Sequence, residues 1–376
     1  MGLENGVERV VIVGAGPAGI ACAWRLAQLG LEPLLLEKET FPRDKVCGDA
    51  LSGKVLSLLR KLGGEPLLAD LLQQPFVYPV EHLDFISGKG RRVRLSFPPR
   101  HGYPQGCVAP RYAFDTWLLS HLPAGVRLRS SFELRKVERR GQIWYLTSTT
   151  GELVKTYFVV GADGVSSRIA PIVWDYHRLS RPIVYPAVRG YLEGKPPESL
   201  ELYFRKPYLP GYLWRFPAGK HQLNVGVGLP TSALKNARLS LRAHLREIFP
   251  QLHSVQGHGI PVSLENRPLT TPGCALIGDA AGLADPLTGE GIGNALLSGI
   301  RLAEALAKVP FGDWPLADWE ALYTKPLYNE LRRELRITRF FHRIAQKEAR
   351  VEAILSFLSR FSYATKPLLR WYGVKG

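Results

Sequence analysis

Three glycines near the start of the chain have the spacing of a phosphate cradle. Gly14, Gly16 and Gly19 form a G-x-G-x-x-G set directly behind the apolar, β-branched run of residues 10–13, which reads as a buried parallel strand. The first glycine permits a tight turn, the second lets the backbone approach a pyrophosphate, and the third lets the helix pack closely on the strand. The helix they open presents unpaired N–H groups and its positive dipole end to the phosphates. A second apolar strand, residues 34–36, ends in Glu37, eighteen residues beyond Gly19, where a carboxylate accepts hydrogen bonds from an adenosine ribose. An acid there suits a free 2′-hydroxyl, as in FAD or NAD, rather than the 2′-phosphate of NADP. A dinucleotide site is therefore expected at Gly14, Ala15, Gly16, Pro17, Ala18, Gly19, Glu37 and Lys38.

Other residues with chemical potential lie further along. Residues 38–53 are punctuated by Pro42, Gly48 and Gly53 and carry Arg43, Lys45 and Cys47, so a loop is expected that reaches back over a cofactor. Arg111 follows Pro110 at the start of a helix, where a cation opposes the dipole and calls for an anionic neighbour, such as a cofactor phosphate. Two more buried strands, residues 157–161 and 274–277, run into Asp163-Gly164 and Gly278-Asp279. Gly289-Glu290-Gly291 then leads through Ile292 into another helix.

The elements that must position these groups read as an α/β fold with an α+β second lobe. A Rossmann-like dinucleotide-binding domain, residues 1–75, 101–175 and 266–308, is interleaved with a β-sheet substrate domain, residues 76–100 and 176–265. A basic helical region, residues 309–376, follows. With 376 residues, 45% hydrophobic and 22% charged, the chain can bury a large core and is neither disordered nor fibrous. Residues 126–150 read as antiparallel strands, 54–62 and 239–249 as helices. No apolar run approaches the roughly 18 residues of a spanning helix, and the short acidic start is not expected to be a signal peptide. Four cysteines without C-x-x-C or zinc spacing fit free thiols in a cytoplasmic protein and no metal site. The last 46 residues carry eleven Lys and Arg against three Glu, half of the net +16. Their apolar stripe at Val351, Ile354, Leu355, Leu358 and Phe361 either packs on the body or docks on the inner face of an anionic membrane. No motif supports nucleic-acid binding.

The three strand-end motifs together resemble the FAD-dependent hydroxylase superfamily, which implies FAD as cofactor. In that family the acid of the last motif, here Asp279, binds the ribityl chain, and the helix after Gly289 and Gly291 faces the pyrimidine end of the flavin; Asp163, Gly164, Gly278 and Ile292 complete the implied cofactor set. Lys45-Val46-Cys47-Gly48 and Tyr212-Leu213-Trp214-Arg215-Phe216-Pro217 resemble the K-x-C-G and Y-x-W-x-F-P signatures of the geranylgeranyl reductases. Those enzymes saturate isolated double bonds of prenyl chains on lipids, chlorophyll precursors or quinones. Asp49 departs from that pattern, which often has a second glycine there. Tyr212 and Phe216 depart from the W-x-W-x-I-P stretch of the flavin halogenases, and no counterpart of their catalytic lysine motif is found.

The resemblance implies reduction of a prenylated lipid or quinone-like substrate by reduced flavin, with NAD(P)H, ferredoxin or a quinol as external electron donor. Lys45, Cys47, Gly48 and Arg111 are expected at the cofactor. Cys47, Tyr212 and Trp214 are the catalytic candidates: a thiol beside the isoalloxazine, a phenol that orients a proton-delivering water, and part of an aromatic tunnel wall that includes Tyr208, Leu209, Leu213 and Phe216. The same scaffold also supports a monooxygenase of an aromatic or polyene substrate, or a flavin-bearing lipid-binding or electron-transfer protein.

Overall fold

The computed structural model describes residues 3–4, 6–100, 102–175, 182–237 and 240–360. From the N-terminus run β1 (Val7–Val13), α1 (Pro17–Gln28), β2 (Leu34–Leu36), α2 (Gly53–Gln73), β3 (His82–Ser87) and β4 (Arg92–Ser96). Next come α3 (Arg111–Ser120), β5 (Arg127–Arg129), β6 (Leu134–Arg140), β7 (Ile143–Ser148) and β8 (Leu153–Gly161). Then follow β9 (Val184–Glu193), β10 (Leu200–Phe204), β11 (Tyr212–Pro217) and β12 (Gln222–Gly228). The chain continues through α4 (Leu241–Ile248), β13 (His253–Pro261), β14 (Cys274–Leu276), α5 (Ile292–Ala307), α6 (Lys325–Ile344) and α7 (Glu348–Arg360).

The first sheet has the order β6-β7-β8-β1-β2-β5, with β14 beside the end of β8. Its centre is parallel and covered on both faces, so Val10, Val11, Ile12, Val159 and Val160 are all buried in continuous apolar runs rather than alternation. The stretch 126–150 is not wholly antiparallel: Arg127–Arg129 pairs parallel to Leu34–Leu36. Helix α3 provides the crossover that such a pair requires, and the antiparallel arm begins only at Leu134. Helix α1 meets α5 on small residues, because a Cβ at Gly299 would stand 2.4 Å from the carbonyl oxygen of Ala18. Helix α2 runs past the expected residue 62 to Gln73, bending where Gly64 takes φ +74 just before Pro66.

The second sheet has the order β13-β9-β12-β11-β10-β3-β4, antiparallel throughout except between β10 and β3. The two-residue period of a strand separates its faces. Leu213, Val225 and Val227 pack on Leu241 and Leu245 of α4, while Trp214, Phe216 and Leu202 face the first sheet. Mixed parallel and antiparallel sheets with a helical C-terminal pair are the α/β, α+β architecture read from the sequence.

Most of the described part of the α7 stripe packs on the body, and Ile354 is half-buried outside that cluster. Val351 and Leu355 are buried with Phe85, Val93 and Leu95 of the second sheet, and Leu358 packs against the same cluster. Val351, Leu355 and Leu358, packed against the protein, are not available to a bilayer. Phe361 lies outside the described residues. Among the described residues no helix is long and apolar enough to cross a membrane.

Candidate active site

A cleft of about 1500 Å³, its mouth included, runs from the glycine loop to the inner face of the second sheet. At one end, Gly14 takes φ +106, and a Cβ there would lie 2.3 Å from the carbonyl oxygen of Ala162. A Cβ on Gly19 would come within 1.9 Å of Gly14 O, so only glycine lets α1 start this close to its strand. Helix α1 opens with Pro17 at its first turn, no side-chain cap and no acid; Gly16, Pro17 and Ala18 line the cleft. These N–H groups form an uncapped anion cradle.

Glu37 is buried beside it. Its Oε2 accepts the Ala15 N–H at 2.8 Å and its Oε1 the Glu39 N–H at 3.1 Å, which leaves lone pairs for a ribose. Arg43 spans the same corner, donating to Asp115 at 3.2 Å and to Ala15 O at 3.4 Å, with Glu37 at 3.6 Å. Lys38 is not brought in: it is exposed, 3.8 Å from Glu39, and off the cleft. Lys38 lies past the end of β2, in a bend of the chain.

Two expected cofactor residues have other partners. Asp163 accepts the Ser167 hydroxyl at 2.5 Å and the Arg168 N–H at 2.7 Å, so its carboxylate closes its own turn and only Gly164 of the pair lines the cleft. Arg111 lines the cleft, but its anionic neighbour is Asp115, one helical turn on, gripped by two bonds of 2.7 and 2.6 Å. Burial opposes the charge of Arg111, yet the Asp115 contact holds its pKa above the ordinary value.

The third strand end is better furnished. Asp279 receives Lys45 Nζ at 2.7 Å; burial alone would raise its pKa, but Lys45 holds it low. Gly278 starts that turn with φ +59, its N–H donating to Ser298 Oγ. Gly289, Gly291 and Ile292 line the cleft where α5 begins, and the Gly291 cap has no side chain to offer. His258, on β13, lines the same wall. Its Nε2 is buried without a partner, and burial followed by Lys45 lowers its pKa to about 4, so the ring is neutral with a nitrogen free for a ligand.

Lys45, Cys47 and Gly48 enter the cleft on a loop pinned from both sides. Asp44 takes two 2.8 Å bonds from the fully buried Arg189 of β9. Asp49, also fully buried, sits at φ 64, the left-handed region that favours glycine. Its carboxylate accepts from Tyr191 Oη and Asn224 Nδ2, each at 2.7 Å, and from the Arg111 N–H at 3.3 Å. Burial still pushes its pKa up to about 6. The Cys47 thiol is raised too, chiefly by burial, and so stays protonated at neutral pH.

Beyond the loop the cleft is apolar, with Leu83, Ala187, Leu200 and Leu202 along it and Tyr212, Trp214 and Phe216 as its aromatic side. Trp214 is fixed by a 2.9 Å bond from Nε1 to Asn224 Oδ1. Tyr212 donates its hydroxyl proton to Thr288 O. Tyr208 and Leu213 do not belong to this wall; strand alternation and the turn before β11 put them in the α4 cluster. Leu209 packs beside the wall without lining the cleft.

Sequence reasoning missed a polar patch at the same end. Ser52 and Lys54 from the start of α2, Glu290 before α5 and Glu334 of α6 all line the cleft. Lys54 Nζ donates to Asn294 Oδ1 and, at 2.8 Å, to Glu334 Oε2. No local motif joins residues so far apart in sequence; only Glu290 was visible, inside a glycine pair.

Residues 8–173 match the family model described as an FAD binding domain. The chain is 32% identical over 318 residues to a menaquinone reductase of Mycobacterium tuberculosis, covering 79% of this chain and 76% of that one. It is 31% identical over 339 residues to a digeranylgeranylglycerophospholipid reductase of Methanosarcina acetivorans, covering 84% and 79%. A crystal structure of a geranylgeranyl bacteriochlorophyll reductase-like protein from Thermoplasma acidophilum shares the fold with TM-score 0.69, at 22% identity over 96% of this chain and 98% of that one. A flavin-dependent brominase shares it with TM-score 0.73, at 20% identity over 97% and 92%. The uncapped cradle, Glu37 and the unpartnered His258 nitrogen suit a large anionic dinucleotide, and the molecule is an FAD-dependent oxidoreductase. Within that class, the chain belongs to the geranylgeranyl reductase family.

Proposed function

We propose that this enzyme saturates isolated double bonds of a prenyl chain carried by a lipid or a quinone. The observation that carries this reading is the continuity of one cleft from the dinucleotide cradle to an apolar, aromatic-walled channel. A prenyl chain has no polar atoms to recognise, so its site must be long, apolar and dry. The relatives named above as menaquinone and digeranylgeranylglycerophospholipid reductases support the same substrate class.

Bound and reduced, FAD supplies a hydride to one alkene carbon. The chain's own part is to hold and shield. The α1 N-terminus would receive the pyrophosphate, Glu37 the ribose, Asp279 with Lys45 the polyol, and the α5 N-terminus the negatively charged reduced ring. Cys47, held as a thiol, sits between this site and the aromatic wall. Trp214 and Phe216 exclude water from the alkene, and Tyr212 fixes the wall to the 288–291 turn through Thr288.

The outward face of α6 carries Arg332, Arg333, Arg336 and Arg343 around the exposed Phe340. That pattern of cations about an aromatic suits an anionic membrane surface, from which a lipid substrate would be drawn. The test of function is anaerobic incubation of the dithionite-reduced holoenzyme with geranylgeranylated lipids and with menaquinone, followed by mass spectrometry. A gain of about two mass units per double bond is expected. A gain of one oxygen, seen only in air, would instead make the enzyme a monooxygenase.

A further inference from the structure

Saturating an unactivated alkene needs a proton as well as a hydride, and most ionisable groups on the cleft wall are committed elsewhere: Lys45 is paired with Asp279, and Lys54 with Glu334. The Tyr212 proton is committed to Thr288 O. His258 is neutral and too weakly basic to be protonated at neutral pH. The Cys47 thiol is a poor acid because burial raises it, and Asp49 is off the cleft with both oxygens engaged.

Glu290 differs from all of these. It lines the cleft next to the Thr288 carbonyl that anchors Tyr212, so it stands at the junction of the α5 N-terminus and the aromatic wall. Its Oε1 accepts the Gly293 N–H at 2.7 Å and the Ser52 hydroxyl at 3.4 Å. Lys54, the nearby cation, spends its ammonium on Asn294 and Glu334 instead. Lys54 and Glu334 are 17% and 19% exposed, so a polar path leads from solvent to this half-buried carboxyl.

We infer, on the basis of the prenyl-reducing reading above, that Glu290 is the proton donor of the reaction and is reprotonated from solvent along Lys54 and Glu334. The alkene gains two electrons with the hydride at one carbon; the O–H bond of Glu290 breaks and a C–H bond forms at the other. The carboxylate left behind takes its next proton from water. The surrounding charges are consistent with this role. Burial raises the Glu290 pKa to about 7, Lys54 from α2 and the Gly293 N–H oppose the rise, and Glu334 from α6 and Asp285 add to it. A carboxylic acid half-protonated near neutrality is matched to general acid work.

The test uses the FAD-loaded protein and Glu290→Gln, which keeps the acceptor for Gly293. Infrared difference spectra across pH 5–9 are expected to show a carboxylic acid carbonyl band titrating near neutrality in the wild type and missing from the variant. In single turnovers with dithionite-reduced holoenzyme and a geranylgeranylated lipid, Glu290→Gln is expected to slow saturation about 100-fold. It should also abolish the fall in wild-type rate at alkaline pH, with lipid binding unchanged, and Glu290→Asp should recover part of the rate. A variant within threefold of wild type and with the same pH profile overturns the inference and leaves the prenyl reading standing. Absence of the infrared band also overturns it. A wild type that saturates no prenyl lipid sinks the functional reading, and the inference with it.

Discussion

The side-chain amide of Asn224 stands 2.7 Å from Asp49 Oδ2, and the same nitrogen reaches the carbonyl oxygen of Cys47 at 2.8 Å. One amide thus ties the cofactor loop to the second sheet, while its oxygen orients Trp214. Replacing Asn224 with Leu leaves a buried carboxyl short of a donor, a loss worth about 1–3 kcal/mol. Chemical denaturation should show that loss, with weaker FAD retention by flavin fluorescence. A variant as stable as wild type, with FAD equally tight, would mean that the Arg189–Asp44 pair and the Tyr191 and Arg111 bonds to Asp49 hold the loop without the amide.

The two faces of β11 should behave differently. Leu213→Ala removes packing against α4 and should cost about 2–5 kcal/mol of stability without changing which prenyl lipids are reduced. Trp214→Ala opens the cleft wall and should raise the KM for prenyl lipid at least tenfold. Equal effects on KM would contradict the division of the strand.

Cys47→Ser should keep FAD bound and lower prenyl-reducing turnover about tenfold or more, as a small misplacement of groups at a reacting centre commonly does. Full turnover in the variant would reduce the thiol to a small residue in a tight turn.

Asp285 supplies a pH signature. It is fully buried, its Oδ1 takes three donors from Leu287 and Thr288, and its Oδ2 has none. Burial, with repulsion from Glu334, raises its pKa from 3.8 to about 6. The ionised form is therefore disfavoured by folding, so this group's contribution to stability is greatest below about pH 4, is lost as pH rises to about 6, and stays lost beyond. Asp285→Asn should be more stable than wild type at pH 8, by about 1–3 kcal/mol, and the gain should shrink toward pH 4. Denaturant midpoints at the two pH values decide it.

The basic face of α6 predicts salt-sensitive attachment to lipid. Changing Arg332, Arg336 and Arg343 to Glu should weaken partitioning onto anionic vesicles about fivefold for each cation lost, with no change on neutral ones. Co-sedimentation measures this, and undiminished binding would move the contact elsewhere.

The backbone geometry of the proposed cofactor end was legible because its residues are close in sequence and their spacing encodes the turns: Gly14 through Glu37, Gly278-Asp279 and Gly289 through Ile292. What spacing could not reveal was where side chains turn. Asp163 has a serine four residues on, and that acceptor–donor pair was the available hint that its carboxylate would close its own turn. Arg111 likewise has Asp115 one helical turn away. His258, Lys54 and Glu334 reach the cleft from elements separated by scores of residues, and only tertiary packing unites them. Asp49 looked like a departure from a glycine pattern; its left-handed backbone shows why glycine suits the position, and its buried network shows what the acid gains there.

The contact of α1 with α5, and of β8 with β14, bears on how the protein is made. The strand that completes the parallel sheet and the helix that covers α1 leave the ribosome only after the whole second sheet has been synthesised. Until then the glycine loop lacks its covering helix and the Asp279 turn, so with the cofactor held as proposed, tight loading would follow completion of the chain. The intervening sheet, mostly local antiparallel pairings, can assemble first and hold the two halves near one another, shortening the loop that the last strand must close.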